Sequence, residues 1–115
     1  MIVAIVGSRD FNDESYMERM VEEAVGIDNI DLIVSGGAKG ADSLAEELAV
    51  KHDIPTKIYP ANWLRYGKSA GMIRNKEIVR AADVVIAFWN GQSPGTKMSI
   101  RECVQTGTQH FVYTY

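Results

Sequence analysis

Three short stretches of this 115-residue chain combine glycine, small polar residues and charge in a way that suits an anionic ligand. The first is Gly7-Ser8-Arg9-Asp10-Phe11. A glycine lets the backbone turn tightly or approach a ligand. A serine hydroxyl donates one hydrogen bond, and an arginine can fork onto a phosphate or carboxylate. The second is Ser35-Gly36-Gly37-Ala38-Lys39-Gly40-Ala41-Asp42. Its glycines and alanines put almost no side chain in the way, so main-chain N–H groups ahead of a helix are expected to form an anion site. Asp42 either caps that helix or holds a ligand hydroxyl. The third is Asn90-Gly91-Gln92-Ser93-Pro94-Gly95-Thr96, where Asn90, Ser93, Gly95 and Thr96 suit a phosphate or a ribose. The second turn is neither the dinucleotide fingerprint nor a P-loop. One such turn is an ordinary connection; together the three point to a nucleotide-type ligand.

A second group of residues follows at 61–75. Trp63 or Tyr66 can stack on a base or pack over a sheet edge, and Arg74, followed by Asn75, can reach a phosphate. His52 and His110 stand alone without partners at metal-ligand spacing, and no paired-carboxylate or cysteine pattern accompanies them. A dedicated metal site is therefore not expected, although Mg²⁺ can arrive with the phosphates of a ligand. Cys103 is the single cysteine. It reads as a small buried helix residue rather than a nucleophile, and it fits a reducing cytosol.

The elements that must position these groups alternate regularly. Apolar runs at Ile2–Val6, Ile30–Ser35, Thr56–Tyr59, Val84–Phe88 and Phe111–Tyr113 read as strands. Between them lie helical patterns: one opened by Asn12-Asp13-Glu14-Ser15 and carrying Met17, Met20, Val21 and Ala24, and one carrying Leu44, Ala45, Leu48 and Ala49. Two more run from Ser69 or Ala70 to Ala82 and from about Thr96 to Thr106, with Gly107 as the stop. Residues 61–69 read as a loop. Short βα alternation predicts a single α/β domain over 1–115, a Rossmann-like doubly wound parallel sheet of about five strands with helices on both faces. Ligands of such sheets bind outside the carboxyl ends of the strands, where strand order reverses. All three turns fall at those ends.

Bulk properties narrow the function classes. Hydrophobic residues make up 46% and charged residues 23%, as in an ordinary globular domain. No apolar run is long enough to span a bilayer. The first strand begins at once after Met1, so no leader is expected and the cytoplasm is the expected location. A formal net charge of −3 argues against a nucleic-acid partner, which usually calls for a basic face.

Taken in order, the turn at Gly7, the turn at Ser35–Asp42, Pro60-Ala61-Asn62-Trp63, Gly67-Lys68-Ser69-Ala70-Gly71 with Arg74-Asn75, Ala82-Asp83 and Ser93-Pro94-Gly95-Thr96 resemble the YspA-like members of the SLOG superfamily. The resemblance runs over nearly the whole chain. It implies a Rossmann-like fold that binds or senses a nucleotide or a nucleotide-derived ligand of the NAD or ADP-ribose kind. It also implies two alternatives. One is cleavage of nucleoside monophosphates at the N-glycosidic bond, as in the cytokinin-activating phosphoribohydrolases, with Arg74 and Glu102 as catalytic residues. The other is single-stranded nucleic-acid binding in the manner of DprA. The hydrolases carry a glutamate three residues after the Gly-Thr pair and a lysine after the arginine; here those places hold Ser99 and Asn75. Glu102 lies a further three residues on, an advance of about 300° that turns it about 60° away around the helix. Holding the ligand is thus the expected activity, with Asp42 and Asp10 the other acids available for hydrolysis. A binding domain of this size is expected to act alone, as a homo-oligomer or beside a separate effector protein.

Overall fold

A computed structural model describes the whole chain, Met1 to Tyr115. The elements in order are β1 (Ile2–Gly7), α1 (Glu14–Ala24), β2 (Leu32–Ser35), α2 (Ala41–Lys51), β3 (Thr56–Ile58), α3 (Trp63–Tyr66), α4 (Ala70–Ala81), β4 (Val84–Trp89), α5 (Pro94–Thr106) and β5 (Gln109–Thr114). All strand pairs are parallel, in the order β3-β2-β1-β4-β5. The chain moves outward from β1 to β3 and then crosses back to β4, so strand order reverses between β1 and β4. No helix is long and apolar enough to cross a membrane.

Alternation along the central strands divides the core in two. Val3 and Ile5 of β1, Ile33 of β2, and Val84, Ile86 and Phe88 of β4 pack with Met17 and Val21 of α1 and Leu48 of α2. Ala4, Val6, Val34, Val85 and Ala87 point the other way, against Ile78 and Val79 of α4 and Cys103 of α5. The sheet is therefore covered on both faces, which is why its central strands read as unbroken apolar runs. Helix starts follow local chemistry. Asp13 caps α1 by accepting the Tyr16 N–H at 3.0 Å. Pro94 opens α5, where a missing N–H costs nothing, and Gly107 closes it in the left-handed region at φ 71°. Glu18 of α1 accepts from Lys51 at 2.9 Å and pairs with His52 at 2.5 Å, tying α1 to the end of α2.

Three boundaries differ from the sequence pattern. β2 starts at Leu32 rather than Ile30, because Ile27–Asn29 winds into a 3-10 turn whose Ile27, with Ile30 just after it, joins the core. β5 is longer than the apolar triplet that signals it; as an edge strand its flanking residues are exposed or half-exposed. Segment 61–69, expected as a loop, holds α3, capped by Asn62 accepting the Arg65 N–H at 3.1 Å, and a 3-10 turn at Gly67–Ser69. A four-residue helix is too short to show a period.

Two consequences follow from this packing. A Cβ on Gly7 would overlap the Phe88 carbonyl and lie 2.6 Å from the Ala41 Cβ, so Gly7→Ala must shift backbone. It is expected to lower the unfolding free energy by about 1–3 kcal/mol, measured by chemical denaturation; an unchanged midpoint would show that the junction yields freely. Cys103 is fully buried, and burial, with the Glu102 charge adding to it, pushes its thiol up to about 11. Iodoacetamide at neutral pH is expected to label it only in denaturant. Rapid labelling of the folded protein would contradict that environment.

Candidate functional site

The carboxyl ends of β1 and β4 meet at Ser8, which is 1% exposed. Its N–H donates to the Phe88 carbonyl at 2.9 Å, and its hydroxyl accepts the Asn90 N–H at 3.1 Å. Its carbonyl accepts from Phe11 at 3.2 Å and from Ala41, the first residue of α2, at 3.3 Å. One residue thus joins the turn after β1 to the turn after β4 and to the start of α2. Asn90 in turn accepts the N–H groups of Gln92 and Ser93, at 2.9 and 2.8 Å, shaping the turn into α5. Its amide donates to Asp10.

A cavity of about 480 Å³ opens over this junction. Gly7, Ser8 and Arg9 line it from the first turn, and Ala38 and Asp42 from the second. Asn90, Ser93, Gly95 and Thr96 line it from the third, and Arg74 and Asn75 reach it from α4. A smaller cavity of about 280 Å³ adjoins it, lined by Gly36, Gly37 and Trp63 among others; Arg9, Ala38 and Arg74 line both. The three glycine-rich turns therefore do come together on one edge of the sheet, at the reversal point. Three residues singled out in the second turn line neither cavity. Ser35 is fully buried and accepts the Gly37 N–H at 3.3 Å. Gly40 sits at φ 77°, with no room for a Cβ beside the Arg9 carbonyl, and Ala41 packs under Gly7. They position the turn.

The second turn works differently from its sequence expectation. Its N–H groups along the smaller cavity are taken up within the chain: Gly37 donates to Ser35, and Gly36 and Ala38 donate to the Asp42 carboxylate, Ala38 at 3.1 Å. Asp42 is therefore not the cap of α2. The N-cap is Gly40, without a side-chain bond, and Asp42 instead folds the loop ahead of it. Free donors beside the larger cavity lie at the start of α5. No partner within the chain takes the N–H groups of Gly95 and Thr96 in the first turn of α5, where the positive end of the helix dipole adds to them. Arg74 donates from Nη1 to the Gly36 carbonyl at 2.8 Å and from Nε to Asn75 at 3.0 Å. Asn75 passes the link to the Gly95 carbonyl at 3.3 Å. Arg74 is thereby held over both cavities with part of its guanidinium unused.

The acids fall in three distinct settings. Asp42 is 8% exposed; burial pushes its carboxyl above the usual 3.8, while hydrogen bonds from Ala38 and Gly36 and the charges of Arg74 and Arg9 oppose the shift. Asp10 is held below its usual value by the Tyr115 hydroxyl and then by Asn90. Glu102 lies outside both cavities: it sits on the α4-facing side of α5, 3.7 Å from Arg80. Ser99, one turn after Thr96, lines the larger cavity in the place nearest to it on that helix. Sequence reasoning left Asp10, Ser99, Pro60 and Ala61 out of the ligand-binding set, although all four line a cavity. For Ser99 the signal was its position one helical turn after Thr96. For Pro60 and Ala61 it was their place directly after a third strand end. No three His, Cys, Asp or Glu side chains cluster as a metal site would require.

A five-stranded parallel sheet of this order, with small-residue turns and two arginines at its reversal point, defines a Rossmann-type fold of the nucleotide- and nucleic-acid-binding class. Within that class, residues 1–66 match the YspA, cpYpsA-related SLOG family, and the chain belongs to it. The Gene 61 protein of Mycobacterium phage D29 is 36% identical over 116 aligned positions, covering 91% of this chain and 90% of that protein. Among solved structures, DNA processing protein A from Helicobacter pylori, described with its single-stranded DNA binding mode, superposes with a TM-score of 0.75 at 23% identity. The match takes in 97% of this chain and 64% of that one. DprA from Streptococcus pneumoniae gives 0.76 at 23% identity, over 96% of this chain and 49% of its own. These neighbours correct the expectation that acidic balance sets nucleic acid aside, since a protein of this fold binds single-stranded DNA. Net charge is a sum over the whole surface, whereas a groove presents only its own groups, here Arg9 and Arg74 with Asp10 and Asp42 beside them.

The setting of Asp42 has a testable sign. Its folded-state pKa lies above the unfolded value, so its contribution to stability is present below the unfolded pKa and is lost as pH rises through the folded one. Asp42→Asn does not titrate. Its stability relative to the parent is expected to improve as pH climbs from about 3.8 through the raised value, followed by denaturant midpoints at stepped pH. A difference that stays flat or worsens over that window would show that Asp42 is not desolvated.

Proposed function

We propose that this protein binds a nucleotide or nucleotide-derived ligand, with its phosphate between Arg9, Arg74 and the first turn of α5, and holds it without cutting it. The observation that carries this reading is the pairing of free anion donors with an adequate cavity. Arg9 and Arg74 flank about 480 Å³ of space, within the range of small-molecule sites. The Gly95 and Thr96 N–H groups lack internal partners beside them. Arginine suits this role because its planar fork offers several donors to one phosphate.

Retention rather than hydrolysis follows from the acids. N-glycoside cleavage needs a carboxylate to stabilise the oxocarbenium-like sugar or to activate water. Glu102 is turned out of the cavity towards Arg80, Asp42 is engaged by the loop it folds, Asp10 is engaged by Asn90 and the Tyr115 hydroxyl, and Ser99 stands where a carboxylate is wanted. A second reading, single-stranded DNA laid along the same edge, is favoured by the fold shared with the two DNA processing proteins. A homo-oligomer or a separate effector would carry the bound signal onward.

The discriminating experiment combines thermal shift with chromatography of free base, using AMP, NAD, ADP-ribose and a single-stranded oligonucleotide, with and without Mg²⁺. Stabilisation by the small nucleotides with no base released is expected. Arg74→Ala should weaken binding by about 10-fold or more, as for loss of a charged hydrogen bond. Base release would replace this reading with the hydrolase. A shift with the oligonucleotide alone would replace it with the DNA reading.

A further inference from the structure

The smaller cavity differs from the larger one in what its walls can say to a ligand. It is built by Gly36, Gly37 and Ala38 after β2 and by Pro60, Ala61 and Trp63 after β3. Apart from the two arginines it shares with the larger cavity, none of its side chains can hydrogen-bond except the Trp63 indole N–H. On the β2 side its main chain is also largely spoken for. The Gly36 carbonyl takes Arg74, the Gly37 N–H goes to Ser35, the Ala38 N–H to Asp42, and the Ala38 carbonyl accepts from Ser43 at 2.9 Å.

What the walls do offer is one aromatic face. Trp63 is 56% exposed, yet its ring is seated: a Cβ on Gly71 of α4 would lie only 3.5 Å from its Cη2 atom. A large aromatic side chain held half-open at a cavity mouth leaves apolar surface in water that a flat partner would cover.

Resting on the phosphate-binding reading above, we infer that the smaller cavity is a base subsite. It takes the heteroaromatic base of the ligand whose phosphate lies at the Arg9–Arg74 neck, stacks it on Trp63, and discriminates little among bases. Every base has a π-face, so stacking tolerates any of them, while selection by edge calls for directed polar side chains, which these walls lack apart from the Trp63 indole N–H and the two arginines. The recognised class is then a nucleoside phosphate of any base rather than one particular nucleotide.

Calorimetry with AMP, GMP, CMP, UMP, ribose phosphate and inorganic phosphate tests this directly. The four nucleotides are expected to bind within about tenfold of one another. Each should bind about 5- to 150-fold tighter than ribose phosphate, the range expected for one stacked base. Trp63→Ala should collapse the ratio of AMP to ribose phosphate affinity towards one, and Trp63→Phe should restore most of it. Arg74→Ala should weaken both ligands together and leave the ratio standing. Equal affinities for AMP and ribose phosphate, a ratio untouched by Trp63→Ala, or a preference above about 100-fold for one base would overturn the inference while leaving phosphate binding intact. Absence of binding by every phosphate in the series would overturn both readings.

Discussion

Gly7 and Ser8 form the junction on which the site depends. β1 ends where β4 and α2 press closest, and only hydrogen occupies the space a Cβ would need between the Phe88 carbonyl and Ala41. Because the chains approach that closely, the next residue can bond to all of them: Ser8 reaches Phe88, Asn90, Phe11 and Ala41. The turn after β4 and the start of α2 are therefore placed by the main chain and the hydroxyl of Ser8 at a single buried point. Long surface side chains have no part in it. A larger residue at Gly7 would separate β1 from α2 and lose the register of both turns together.

A second layer of bonding fixes the charges on that frame. Arg74 comes from α4, on the opposite side of the sheet from α2, and reaches the Gly36 carbonyl of the β2 turn. Asn75 hands the same connection to the Gly95 carbonyl of α5. The guanidinium is thus pre-positioned by two carbonyls and an amide, so little rotamer freedom is lost when an anion arrives. Asp42 balances this arrangement. It is a buried carboxylate among two arginines, and it holds the glycine turn by its Ala38 bond. Placing one negative charge there limits the repulsion between Arg9 and Arg74 in the absence of an anion, while leaving their outer donors facing the groove.

The sheet was legible in the sequence because burial on both faces writes continuous apolar runs at β1 and β4, and because Asp13, Pro94 and Gly107 mark helix ends by local chemistry. Less legible were elements held by tertiary packing, such as α3 and the flanks of β5, where half-exposed residues carry no period. Within the site, residue types located the three turns and Arg74. The division of labour inside the second turn was hidden. Small side chains made its N–H groups look free for an anion, yet Ser35 and Asp42 sit two residues before and five after Gly37 in positions that satisfy the turn from within. Whether a main-chain donor is free depends on where side chains several residues away turn, and spacing alone does not fix that. The same limit applies to Glu102, whose helical angle placed it away from the groove but could not reveal Arg80 beside it.

Internal satisfaction of the glycine turn also changes how the groove can select. A phosphate loop that grips through its own amides must adapt to the ligand, and its glycines then serve flexibility. Here Gly37, at φ 74°, and Gly40, at φ 77°, serve geometry instead: each keeps the chain where a side chain would collide, with Ile58 in one case and the Arg9 carbonyl in the other. The stretch of the turn that lines the smaller cavity, Gly36 to Ala38, is a wall with few open donors. On the proposed reading, anion affinity comes from Arg9 and Arg74, which line both cavities, and from the start of α5, and shape selection from the turn wall and Trp63. On that reading the groups at the start of α5 meet the phosphate alone, while Trp63 meets the rest of the ligand. Pro60, Ala61 and Trp63, after β3, line only the smaller cavity, so a change among them reshapes that wall without touching the junction at Gly7 and Ser8.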